Sequence, residues 1–282
     1  MHVLVAGAGW LGAALCEALV ARGDRVTAVR RDPARAAELS RLGASPLALD
    51  LAAPGAAARL PAGLDAVLAC QAASGDGEAP YRRAYLDANR TLLEAAARCG
   101  ARAFVYTGST GVFGQRDGSD VDEATPPAPA SAAAEVLVAA EALVRSLGAA
   151  ARVVRLSGLY GPGRTGLVER VRAGALALGP DDGAWMNFCH RADAVSAVLA
   201  ALDRGAPGAV YHASDAGPAP RREVVRFVAE RLGIEPARRD APAAGANRRV
   251  LAERTRAALG LALAFPTFRE GLAPLLAQAG GR

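Results

Sequence analysis

An apolar strand pattern over residues 2–6 runs directly into Gly7-Ala8-Gly9-Trp10-Leu11-Gly12, and a helical pattern over 11–22 follows it. Three glycines at this spacing are weak evidence alone, but between a strand and a helix they constrain the chain to one kind of turn. Gly7 permits the tight turn, Gly9 lets backbone approach a pyrophosphate, and Gly12 lets the helix pack against the sheet. The N-terminus of that helix, which opens at Trp10 and Leu11, adds about half a positive charge facing the anion. The reading is a loop that holds a dinucleotide.

The rest of the chain fits the fold that such a loop requires. Strand patterns at 2–6, 25–30, 46–49, 66–70, 102–107 and 152–156 alternate with helical patterns at 11–22, 33–42, 81–99 and 131–147. Gly23, Gly43, Gly100 and Gly148 are placed to close those helices. The fold class predicted is α/β, a Rossmann-type doubly wound parallel sheet. Loops are read at 115–130, rich in proline, and at 240–246. Helices at 192–202, 221–232, 248–259 and 267–278 suggest a smaller, mainly helical C-terminal substrate lobe. The division expected is 1–160 plus about 188–207 for the dinucleotide domain, and about 161–187 plus 208–282 for the substrate lobe.

Composition excludes several chemistries. All 33 basic residues are arginine, so no lysine exists to form a Schiff base, to bind phosphate in a Walker loop or to partner a catalytic tyrosine. Four scattered cysteines and three distant histidines suggest neither a disulfide framework nor a metal centre. Evenly spread arginines and 5% aromatic residues argue against a nucleic-acid platform. The apolar opening carries Glu17 and three glycines, unlike a signal peptide, and no apolar run reaches membrane-spanning length. The expectation is a soluble, cytoplasmic protein that acts on a small molecule, without nucleic-acid or membrane partners.

Cofactor choice turns on the end of the second strand. An acidic residue there would grip the ribose 2′-hydroxyl of NAD, but this chain has Arg30-Arg31. Guanidinium groups match a 2′-phosphate in charge and in two-pronged geometry, so NADP(H) is predicted over NAD(H), the second candidate. Two solvated arginines are the alternative. Asp32 is read as the cap of a helix starting at Pro33.

Further motifs follow in order: Asp50-Leu51, Gln71-Ala72-Ala73, Asn89, the run Tyr106-Thr107-Gly108-Ser109-Thr110-Gly111, Arg155 through Gly158-Leu159-Tyr160-Gly161-Pro162-Gly163, Asn187 through Asp193, and the closing stretch 265–272. Through them the sequence resembles the extended and atypical short-chain dehydrogenase/reductases of the epimerase/dehydratase type, over nearly its whole length. The resemblance implies that Asp50 and Leu51 contact adenine. It also implies that Gln71, Ala72, Ala73, Asn89, Thr107, Gly158 and Leu159 line the cofactor, and that Ser109 is the catalytic serine. The alternative for Ser109 is a hydroxyl that satisfies turn backbone. It further implies that helices 81–99 and 131–147 are the pair on which a homodimer forms.

The chain departs from that family at its catalytic pair. Ala133 and Leu137 stand where Tyr-x-x-x-Lys is normal, and no tyrosine lies between Tyr106 and Tyr160. The lysine ordinarily lowers the phenol pKa for proton transfer, and neither group is available here. Tyr160 and Arg164 do not replace them, because Gly161-Pro162-Gly163 cannot carry both on one helical face. Tyr81, Tyr85, His190 or bound water remain as proton donors. His190 is read as structural and Asp193 as a helix cap.

Three functions stay open: an NADP(H)-dependent oxidoreductase using Ser109 on an electrophile such as an imine, a non-catalytic NADP(H)-binding sensor or scaffold, and a sugar-nucleotide epimerase. Trp185, Phe188, Arg248 and Arg249 are candidates to face the substrate.

Overall fold

The computed structural model describes residues 1–75, 77–242 and 245–279, and for 278 and 279 the backbone alone. Two positions of the loop read at 240–246, residues 243 and 244, lie outside the described residues, as do 280–282 of the expected substrate lobe.

Seven strands form the central parallel sheet: β1 (His2–Ala6), β2 (Arg25–Arg30), β3 (Ser45–Ala48), β4 (Ala66–Ala69), β5 (Ala103–Ser109), β6 (Ala151–Leu156) and β7 (Val210–Ala213). Their order is β7-β6-β5-β4-β1-β2-β3. β1, β4 and β5 carry continuous apolar runs because both faces of a parallel sheet are covered by helices. The order in which successive strands are added reverses between β1 and β4, where Ala6 is in register with Ala69 on one side and Val29 on the other. Ligands of doubly wound sheets sit outside the carboxyl ends of the strands at such a point.

The division into two compact units differs from the one expected. The first unit holds 1–112, 129–155 and 197–211, and the second holds 113–128, 156–196 and 212–282. Segment 113–128 therefore joins the second unit, because its strand Asp120–Val121 pairs with Arg249–Val250. That pairing also shortens the helix expected at 248–259 to Glu253–Leu259.

In the first unit, Leu4, Leu64, Leu92, Phe104 and Tyr106 are fully buried in one apolar cluster with Ala140 and Val144. Helix α1 (Trp10–Ala21) follows β1. The helix expected at 33–42 is one α-turn, Pro33–Ala37, continued as a 3₁₀ segment, Glu38–Leu42, and stopped at Gly43 with φ 78°. Asp32 caps it as read, accepting the Arg35 amide at 2.9 Å. The helix expected at 81–99 starts earlier, at Glu78–Tyr81, widens into a π-helical turn at Arg82–Asp87, and continues as α2 (Ala88–Cys99). Helix α3 (Ala132–Arg145) begins with the Ser131 hydroxyl accepting the Ala134 amide. It ends at Ser146 rather than at Gly148, which opens a separate 3₁₀ turn.

The second unit is built on Val168, Val224, Val228, Phe268 and Leu272, around helices α4 (Arg221–Leu232) and α5 (Phe268–Ala279). Phe188, a candidate to face substrate, is 5% exposed and packs against Tyr160 and Phe268. It is a core residue, because its strand buries all three of its side chains.

Candidate functional site

The phosphate loop occupies the carboxyl end of β1, held by Gly7 and Ala8 amides donating to the Val29 carbonyl at 3.1 and 2.9 Å. Each glycine has its own reason. Gly7 has φ 76°, and a Cβ there would lie 2.4 Å from Gln71 backbone. A Cβ on Gly12 would lie 2.6 Å from the Gly7 carbonyl oxygen. Gly9 is different: φ is −85°, and a Cβ would meet nothing nearer than 3.8 Å. Its missing side chain clears open space above the N-terminus of α1, where no side chain caps the first amides. A cradle that a larger side chain at Gly9 would enter, at a helix N-terminus with no side-chain cap, fits a pyrophosphate. Trp10 and Leu11 begin the helix, with Leu11 turned into the core.

Gln71 supplies a second sign of fit. Its Nε2 donates to Asn89 Oδ1 at 2.7 Å, while its Oε1 is buried and has no hydrogen-bond partner among the described residues. Asn89 in turn donates to the Tyr85 carbonyl, and the Ala73 amide points at the Tyr85 hydroxyl at 3.5 Å. The loop Gln71-Ala72-Ala73 is thus fastened to the π-helical turn. Burial pushes the Tyr85 phenol above its usual value, which makes it a poor proton carrier at neutral pH.

At the carboxyl end of β2, Arg30 reaches the Ala8 carbonyl at 3.4 Å and Arg31 donates to Ser74 Oγ at 3.0 Å. Asp50 accepts the Ala52 amide at 3.0 Å and the Arg83 guanidinium, and Leu51 is buried beneath it. Sequence reasoning passed over Ser74 and Arg83. Neither carries a motif, and only the fold brings them to Arg31 and Asp50.

Ser109 ends β5, and its oxygen accepts the Gly111 amide at 3.0 Å. The hydroxyl proton stays free to donate elsewhere. A Cβ built on Gly111 would lie 3.1 Å from Ser109 Oγ and 3.7 Å from Leu137 Cδ1, so the serine and the apolar Leu137 side chain both lie beside Gly111. Thr107 is buried and donates to the Ala69 carbonyl at 3.2 Å.

Several expected site residues fall in the second unit. Gly158 and Leu159 lie in a short strand paired with Phe188-Cys189-His190, and a Cβ on Gly158 would lie 2.8 Å from the Asn187 carbonyl oxygen. Arg249 pairs with Asp120 and covers the Trp185 ring at 5.2 Å. Asp193 is not a helix cap: it accepts the Ala264 and Phe265 amides at 2.7 and 3.1 Å, pinning the C-terminal segment. His190 takes the capping role instead, its Nδ1 accepting the Ala192 amide at 3.2 Å. Tyr160 is 3% exposed, its ring packed on His190 and Phe188. Among the described residues no group of three His, Cys, Asp or Glu is arranged to hold a metal, and no helix is long and apolar enough to cross a membrane.

The sequence profile of the NAD dependent epimerase/dehydratase family matches residues 3–214. The chain belongs to that family. Among relatives of this epimerase/dehydratase member, a 3-diazoavenalumate denitrifying reductase from a Streptomyces species is 36% identical over 305 residues, covering 96% of this chain and 99% of the relative. A 2-alkyl-3-oxoalkanoate reductase from Stenotrophomonas maltophilia is 31% identical, covering 83% and 76%. The structure of MoeE5 in complex with UDP-glucuronic acid and NAD matches with a TM-score of 0.81 and 26% identity over 99% of each chain. Membership makes the chain an NAD(P)-binding enzyme of the oxidoreductase and epimerase type.

Proposed function

We propose that the chain is an NADP(H)-dependent reductase whose acceptor is a cationic carbon–nitrogen electrophile, such as an iminium carbon, that needs no proton from a phenol during hydride transfer. The observation that carries this reading is Leu137 beside Gly111, an apolar group where the family resemblance expects a lysine. A ketone acquires negative charge on oxygen as hydride arrives and benefits from an acid by about 10²–10⁴-fold, whereas a cationic acceptor loses charge. A relative named for denitrifying reduction of a diazo compound supports the same chemistry.

The chain's own groups have separate tasks. The Gly7–Gly12 turn and the α1 amides hold the pyrophosphate, and Arg30 and Arg31 take the 2′-phosphate. Bound there, NADPH would supply hydride chemistry, which a C=N acceptor takes at carbon as its π pair moves onto nitrogen. Ser109, its oxygen fixed by the Gly111 amide, turns a second lone pair toward the cationic acceptor and orients it.

The test compares a cyclic iminium acceptor with the ketone of the same skeleton, following NADPH consumption. Turnover is expected with the iminium, and Ser109→Ala should lower kcat by about 10²-fold with NADPH affinity unchanged. Faster turnover of the ketone would overturn the reading.

A further inference from the structure

A third guanidinium stands near the two arginines at the end of β2, alongside the one carboxylate of Asp50. Arg83, on the π-helical turn, donates to the Asp50 carboxylate at the carboxyl end of β3. Arg31 acts on the same carboxylate: partial burial raises the Asp50 pKa, but the Ala52 amide, Arg83 and Arg31 together hold it below its ordinary value. Arg31 also reaches across to Ser74 Oγ. Two guanidiniums thus converge on one carboxylate beside a serine hydroxyl, with Arg30 over the phosphate loop.

We propose that Arg83 is a third cofactor-specificity residue, which with Arg31 and Ser74 encloses the phosphate on the adenosine ribose; this rests on the NADP(H) reading above. Charge balance supports it. Arg30, Arg31 and Arg83 against Asp50 leave two positive charges, and a phosphate monoester carries about −1.5 to −2 at neutral pH. A role in stability does not account for the arrangement, because the Arg83 and Asp50 side chains are 51% and 36% exposed, and such surface pairs contribute little. The π-turn supplies the placement. Its Tyr85 hydroxyl faces the Ala73 amide while Arg83 reaches Asp50, so one widened turn serves both walls of the adenosine pocket. In this arrangement Asp50 orients Arg83, and the Ser74 hydroxyl would donate to a phosphate oxygen.

The experiment is calorimetric titration of the full chain with NADPH, NADH, adenosine 2′,5′-bisphosphate and AMP, for the wild type, Arg31→Ala, Arg83→Ala and Arg83→Lys. Arg83→Ala should weaken NADPH and the bisphosphate about five- to tenfold, leaving NADH and AMP within about twofold. Arg83→Lys should recover part of the loss, and the penalty should shrink as salt rises. Unchanged thermal melting of Arg83→Ala shows that the effect is not one of folding. If Arg83→Ala keeps the wild-type preference while Arg31→Ala abolishes it, the inference fails and the NADP(H) reading survives. If the wild type shows no preference for the 2′-phosphorylated ligands, both fall.

Discussion

Arg155 and Glu141 meet in a two-pronged ion pair inside the first unit, Nε to Oε1 at 2.9 Å and Nη2 to Oε2 at 2.7 Å, each residue 4% exposed. Glu141 comes from α3 and Arg155 from β6, so the pair fastens the helix that would carry the missing catalytic residues to the sheet beneath it. Gly108 leaves room for it, since a Cβ there would lie 3.2 Å from Glu141 Oε1.

Breaking this pair on one side strands the other charge in the interior. Glu141→Ala is expected to cost about 3–5 kcal/mol in urea unfolding, while the double change Glu141→Leu with Arg155→Met should recover most of that loss. A single variant as stable as the wild type would show that Arg155 is solvated without its partner.

The three loop glycines should separate in a mutational series. Gly7→Ala forces a side chain into Gln71 backbone at positive φ and should prevent folding, and Gly12→Ala should destabilise through the Gly7 carbonyl. Gly9→Ala should melt within a few degrees of the wild type, because its φ suits alanine and the added methyl meets open space. Its NADPH affinity should nevertheless fall at least about tenfold, since the methyl occupies the pyrophosphate's approach. Normal NADPH binding by Gly9→Ala would remove the anion from that loop.

Asp215 in the second unit gives the fold a pH dependence. Burial raises its carboxyl pKa from 3.8 to about 7, with Oδ1 accepting the Gly217 amide and Oδ2 lacking a partner among the described residues. Between these two values the folded protein keeps a proton that the unfolded chain has lost, so stability falls as pH rises through that window and levels off above about 7. Asp215→Asn removes the slope. At about pH 8 the variant should gain up to a few kcal/mol relative to the wild type, at ~1.4 kcal/mol per pKa unit, and the gain should be smaller at about pH 5. Equal slopes in the two proteins would contradict the assignment.

What the sequence disclosed was local. The phosphate loop is legible because the sterics of Gly7 and Gly12 act within a few residues, and the main strands because parallel strands buried on both faces read as continuous apolar runs. β7 escaped notice, since Val210–Ala213 sits among glycines and is a strand only through its place beside β6. The pairing of Asp120–Val121 with Arg249–Val250 joins two short segments far apart in the chain, a distance at which periodicity carries no signal. His190 and Asp193 exchanged expected roles for a similar reason. Asp193 has the usual chemistry of a cap, but the amides of Ala264 and Phe265 reach it from a distant segment. Ser74 and Arg83 have meaning only against Arg31 and Asp50.

The central claim is that the turn at Gly7–Gly12, aided by the arginines at the end of β2, holds NADP(H). Calorimetric titration of the purified chain with NADPH and with NADH tests it directly. The account predicts saturable binding of both coenzymes, with NADPH about tenfold or more tighter, the difference collapsing in Arg31→Ala. No heat of binding from either coenzyme would contradict it.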